Sequence, residues 1–172
     1  EGVISMSEIL PAEVRETCAF VVVGPDGAGV DVEESVGTWT PGGDEAAAGQ
    51  LAVRAIERAV ELALDGSVDG VVTAPIDKHA LLVAGYADPG HTEMLARLTS
   101  SRTAMMLASD RLRVVLAPTH LALRDVPGAL SREALLDAAR LTSDALRAWF
   151  GVASPRIALC ALNPHAGDRG RF

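Results

Sequence analysis

The stretch DEAAAGQLAVRAIERAVELALDGSVDGVVTAPIDKHALLVAG, residues 44–85, decides the class of fold. Its first half predicts a long amphipathic helix over residues 44–64. Leu51, Ala55, Ala59, Leu62 and Ala63 recur there at helical spacing, and Asp44 and Glu45 suit the positive end of the helix dipole. Asp65-Gly66 ends that helix. DGVVTA, residues 69–74, then reads as a strand stopped by Pro75, and a short helix over residues 78–84 ends at Gly85. Helix, strand and helix in one short span predict an α/β domain.

The same alternation continues outward. A further helix begins near Thr92, after Pro89-Gly90. Residues 103–108 and 112–117 are apolar strands around an Asp110-Arg111 turn. Ser131 caps a helix over residues 131–150, with Leu135, Ala138, Ala139, Leu146 and Trp149 on one face and Gly151 as its stop. Residues 156–162 form a last strand, which Asn163-Pro164 breaks. Toward the N-terminus, residues 19–23 read as a buried strand followed by Gly24-Pro25-Asp26-Gly27-Ala28-Gly29. A dinucleotide-binding loop would have to open a helix there, whereas Val30-Asp31-Val32-Glu33 alternates like a strand, so a hairpin turn is expected. The sheet should be mostly parallel with some antiparallel pairing.

Composition sets the outer bounds. The chain has 172 residues, 49% of them hydrophobic and 3% aromatic, with 29 Ala, which predicts helices packed closely on a sheet. This is the material of a folded core, not of a disordered chain. A net charge of −8 lacks the basic face of a nucleic-acid binder, and no apolar run approaches the roughly 20 residues of a membrane helix. Cys18 and Cys160 lie in apolar runs and are expected to be buried, reduced thiols of a cytoplasmic protein. No Met precedes Glu1, and the chain stops at Phe172 in a Gly-rich stretch, which suggests a piece of a larger protein.

Five polar residues stand out. The chain uses 14 Arg but a single Lys, Lys78, which invites either a chemical reason or chance survival at an exposed position. His91, in the run Pro89-Gly90-His91-Thr92-Glu93, stands at a helix start. Either Thr92 simply caps that helix, or the end holds an anionic ligand. His120 follows one predicted strand and His165 another, where α/β sheets collect their sites. The two could share a metal or serve as hydrogen-bonded structural residues; two ligands do not complete a catalytic site. His79 should face solvent.

VVTAPIDK (71–78), GHTE (90–93), MML (105–107), THLALRDVP (119–127) and LNPHAGD (162–168) together resemble the 4-hydroxythreonine-4-phosphate dehydrogenase family, in its order and spacing. The likeness covers residues 37–170 well and residues 1–36 loosely. It implies a fragment, residues 1–172, of a larger two-subdomain dehydrogenase with an isocitrate/isopropylmalate dehydrogenase-like three-layer α/β/α fold. It further implies a homodimer whose active site draws on both subunits. By the same resemblance His120 and His165 are two of three histidines that bind a divalent metal (zinc, magnesium or cobalt), the third lying beyond Phe172. His91 and Thr92 contact substrate, and Lys78 is a candidate for proton transfer, a role that would need burial to lower its pKa.

The implied reaction is oxidation of 4-phosphooxy-threonine with NAD (or NADP) to a β-keto acid that decarboxylates, in vitamin B6 biosynthesis. A paralogue acting on 4-phospho-threonate or a dihydrodiol dicarboxylate is the near alternative. A metal hydrolase using His120, His165 and Asp125, or a non-catalytic dimerisation domain, is the distant one. Two departures from the family pattern stand out: Asp77 in place of an amide or His, and Asp168-Arg169 in place of Glu-Gly.

Overall fold

The structure, a computed structural model, describes residues 10–169 and residue 171. The chain divides into two compact units, residues 1–101 and 102–172.

In the first unit, α1 (Ala12–Thr17) leads to β1 (Val23–Asp26) and β2 (Glu34–Thr38). These strands pair in parallel, with Val23 opposite Glu34 and Gly24 opposite Ser35. The expected hairpin is therefore overturned. Gly27 and Gly29, at φ of 85° and 81°, loop the chain back to its starting end, so the second strand runs in the direction of the first. The register shifts between Gly24 and Asp26, at Pro25, which has no N–H to give the ladder. The strand expected over residues 19–23 begins only at Val23, with Phe20 and Val21 exposed before it.

The helix α2 (Glu45–Leu64) forms as its sequence predicts: the Asp44 carboxylate accepts the Ala47 N–H at 3.0 Å. Its buried stripe is not the expected one. Leu51 and Leu62 are buried, but the core is centred on Val53, Ile56 and Val60, while Ala55, Ala59 and Ala63 are half-covered. Larger side chains win the packed face because they remove more apolar surface from water.

Against that face pack α3 (Lys78–Val83) through Leu81 and α4 (His91–Thr99) through Met94, with Ile76, Tyr86, Leu95 and Leu98 around them. Gly49 permits the approach of α3, since a Cβ there would collide with the Ala80 carbonyl. The strand expected over residues 69–74 does not form. Residues 70–77 make no ladder, and Val72 is 94% exposed, because a strand needs a neighbour to accept its backbone bonds.

In the second unit, β3 (Met106–Ala108) and β4 (Arg113–Val115) form the expected antiparallel pair, shorter than predicted, with Met106 opposite Val115. A 3-10 turn (Leu123–Asp125) and α5 (Val126–Ala129) precede α6 (Arg132–Ala148), which Ser131 caps by accepting the Ala134 N–H at 3.0 Å. Leu135, Ala138, Ala139 and Leu146 are half-covered on α6, whereas Trp149 is 82% exposed. Residues 156–162, expected to be a strand, likewise form none, and Leu159 and Leu162 are exposed. Cys18 and Cys160 are free thiols but exposed, not buried as expected, since the runs that carry them are not buried strands. No helix among the described residues is long and apolar enough to cross a membrane.

Candidate functional site

In the first unit, two short loops end at helix starts that α2 holds from behind. The first is the opening of α3. Asp77 accepts the N–H of His79 at 2.8 Å and of Ala80 at 3.2 Å, so this departure from the family pattern is a helix cap. Lys78, the first residue of the helix, is exposed. Beside it, His79 Nδ1 lies 2.8 Å from Glu45 Oε1 in the first turn of α2. The hydrogen bond to Glu45, and then the attraction of its charge, hold the imidazole pKa above its ordinary value. His79 faces solvent, as expected, with the Glu45 carboxylate against its ring.

The second start is α4. Gly90, in fully extended backbone, is its N-cap, so Thr92 is not the capping residue but the second residue of the helix. Gly90 has no side chain with which to cap this end, and the first helical bond runs from the Met94 N–H to the Gly90 carbonyl at 3.2 Å. Earlier N–H groups of such a helix point outward with the positive end of its dipole. His91 is half-buried, and its Nε2 is enclosed without a hydrogen-bond partner, with the Glu93 Oε2 of the same turn also enclosed. An enclosed ring nitrogen without a partner is costly, and a polar ligand would satisfy it. The approach to this end is clamped: Arg97 donates through Nε and Nη2 to Asp88, the latter at 2.6 Å, and Asp88 holds the guanidinium pKa above its ordinary value. Sequence reasoning missed this clamp. Its only signal is an Asp and an Arg nine positions apart across a helix start.

In the second unit, His120 follows β4 and is exposed, with a left-handed backbone at φ 59°. His165 sits in the turn after residues 155–161, its N–H bonded to Asn163 Oδ1 at 3.0 Å. Ala166, Asp168 and Arg169 follow at φ of 51°, 39° and 58°. Non-glycine residues in this region carry strain of about 1–3 kcal/mol each, and such residues cluster at functional sites. Asp168 pairs with Arg171 at 3.6 Å, and Asp125 lies 3.7 Å from Arg124. Among the described residues no three or more His, Cys, Asp or Glu side chains gather into a metal-holding group. Two imidazoles suit a divalent ion chemically, but they do not make a catalytic site by themselves. A hydrolase site closed by Asp125 is likewise not formed among these residues.

The profile of the family described as pyridoxal phosphate biosynthetic protein PdxA matches residues 6–172. A 4-hydroxythreonine-4-phosphate dehydrogenase of Desulfosudis oleivorans is 54% identical over 103 residues, 59% of this chain and 30% of that one. A D-threonate 4-phosphate dehydrogenase of Pectobacterium atrosepticum is 44% identical over 133 residues, 77% of this chain and 40% of that one. Among solved structures, the 4-hydroxythreonine-4-phosphate dehydrogenase of Klebsiella pneumoniae aligns with a TM-score of 0.71 at 43% identity, over 78% of this chain and 41% of that one. The chain thus spans less than half the length of the relatives it matches.

Proposed function

The chain belongs to the family of pyridoxal phosphate biosynthetic protein PdxA, and from that premise we propose that it is part of a cytoplasmic dehydrogenase acting on a phosphorylated hydroxy acid. The substrate we assign is 4-phosphooxy-threonine, oxidised at its secondary alcohol with NAD (or NADP) to a β-keto acid that decarboxylates. The proposed architecture is that of a two-subdomain, three-layer α/β/α dehydrogenase of which residues 1–172 are one part, working as a homodimer with a shared site.

The observation that carries this reading is the opening of α4: a glycine N-cap, with the His91 Nε2 enclosed and unsatisfied in the first turn beside Thr92 and the Glu93 carboxylate. That combination supports His91 and Thr92 as contacts to a polar, anionic substrate. Lys78 adds a compact cation at the start of α3. It is exposed, so in proton transfer it would act only once bound substrate encloses it.

His120 and His165 are the residues of this chain we assign to a divalent ion, as two of three imidazoles. When bound, such an ion supplies Lewis acidity toward the substrate oxygen. The left-handed backbone at His120 and just after His165 supports a functional role for both. The match to D-threonate 4-phosphate dehydrogenases favours a second reading, in which the substrate is 4-phospho-threonate.

The test is NADH formation by the full-length protein on each substrate in turn. Turnover of 4-phosphooxy-threonine with decarboxylation is expected, and turnover of 4-phospho-threonate alone would select the second reading. His91→Ala should raise KM by about 10–100-fold, the worth of a hydrogen bond to a charged group, while metal content stays intact. His120→Ala should abolish turnover and lower bound metal. Full activity after that change would remove the metal assignment.

A further inference from the structure

We infer that Glu45 and His79 are positioning residues, clasping the first turn of α3 to the first turn of α2 and so fixing where Lys78 stands. The inference rests on the reading of Lys78 as a substrate-facing residue.

Lys78 opens a helix of six residues. So short a helix is not stable by itself, and its place comes from what it packs on. The far side is settled: Leu81 is buried against α2, and Gly49 lets the Ala80 backbone approach α2 without a side chain between them. These contacts, with Ile76 packed on the same core two residues before Lys78, hold the inner face. Asp77, Lys78 and His79 are all exposed, so core packing does not reach them.

The Asp77 cap winds this turn by binding the His79 and Ala80 N–H groups, but those bonds stay within the turn. The tie from the exposed face of the turn to α2 is the 2.8 Å contact of His79 Nδ1 with Glu45 Oε1. It holds the residue directly after Lys78, and two successive residues of one helical turn move together. The Glu45 backbone is itself fixed, because it follows the Asp44 cap at the start of a twenty-residue helix. The clasp thus references the single lysine of the chain to its longest helix.

The test uses the full-length protein. Glu45→Ala and His79→Ala should each lower kcat by about tenfold, as misplacement of a reacting group does, with KM for the phosphorylated substrate changed less than about twofold. The double variant should be no worse than either single one. Glu45→Gln keeps an acceptor for the imidazole and should recover most of the loss. Arg58→Ala, on the same helix, breaks the ion pairs of Arg58 with Glu34 of β2 and with Glu61, and should leave kcat unchanged.

A second readout does not depend on activity. Lysine amines carrying 13C-methyl labels give a signal for Lys78, assigned by its loss in Lys78→Arg, and that signal should shift in Glu45→Ala. An unshifted signal, or unchanged kcat in both alanine variants while Lys78→Ala is inactive, would overturn the clasp. An active Lys78→Ala would instead overturn the role of Lys78, and the shift would still decide whether the clasp exists.

Discussion

Charge and hydrogen bonding at single residues set the chemistry this chain can offer. His79 is the clearest case, since its bond to Glu45 favours the protonated ring and raises its pKa. The sign follows from linkage: a raised folded-state value stabilises the native state below the ordinary imidazole pKa, and that contribution fades as pH rises through the raised value. Asp77 also acts toward protonation, and Lys78 is the neighbouring cation. An NMR titration of the His79 ring should therefore show a midpoint above the ordinary value of 6.5. Glu45→Gln should bring that midpoint back down, and a midpoint unmoved by the change would disprove the assigned cause. His91 makes the opposite demand. Its enclosed Nε2 awaits a partner, so phosphate or a phosphorylated substrate should shift its ring resonances before those of His79.

Helices carry the first unit, and their contacts set its sensitivity to substitution. Gly49 lies where α2 meets the Ala80 carbonyl and the Ala84 side chain, so Gly49→Ala gains helix propensity but forces the backbones apart. The collision should win, with a net loss of about 1–3 kcal/mol in chemical denaturation. Met94 is fully buried on α4, and Met94→Ala should cost about 2–5 kcal/mol. On α6, where no residue is buried, Ala139→Ser should change stability by no more than about 0.5 kcal/mol. A larger loss there would mean that α6 packs more tightly than its half-covered face indicates.

At the scale of the whole molecule, much apolar surface lies open. Val72 is 94% exposed and Leu123 86%, and Leu159 and Leu162 are exposed on a run that makes no ladder. The matched relatives are more than twice as long, so the 172-residue chain expressed alone should bind hydrophobic dyes, hold metal weakly and show no NAD-dependent turnover. Dye fluorescence, metal content after dialysis and NADH formation measure these three. Robust turnover by this chain alone would show that its two imidazoles suffice.

The helices were legible in the sequence because a helix is held by bonds to residues four positions away and is bounded by caps written beside it. Asp44 and Ser131 mark two of the helix starts, and the structure uses each as a cap, as it does Asp77, which the sequence reading does not place there. The candidate site residues were legible as positions: His91 at a helix start, which the structure forms, and His120 and His165 after expected strands, of which only the one before His120 forms. What tertiary structure alone decided is everything that needs a distant partner. Residues 69–74 and 156–162 have the composition of strands, yet no neighbour takes up their backbone bonds. Residues 24–33 read as a hairpin, and the fold pairs the flanking strands in parallel. The buried stripe of α2 runs through Val53, Ile56 and Val60 because Leu81 and Met94 arrive on that side. The link between Glu45 and His79 spans thirty-four positions, and only the packing of α3 on α2 brings the two together. Local hydrogen bonding writes a helix into its own sequence, whereas a strand, a buried face or a clasp exists only when another part of the chain completes it.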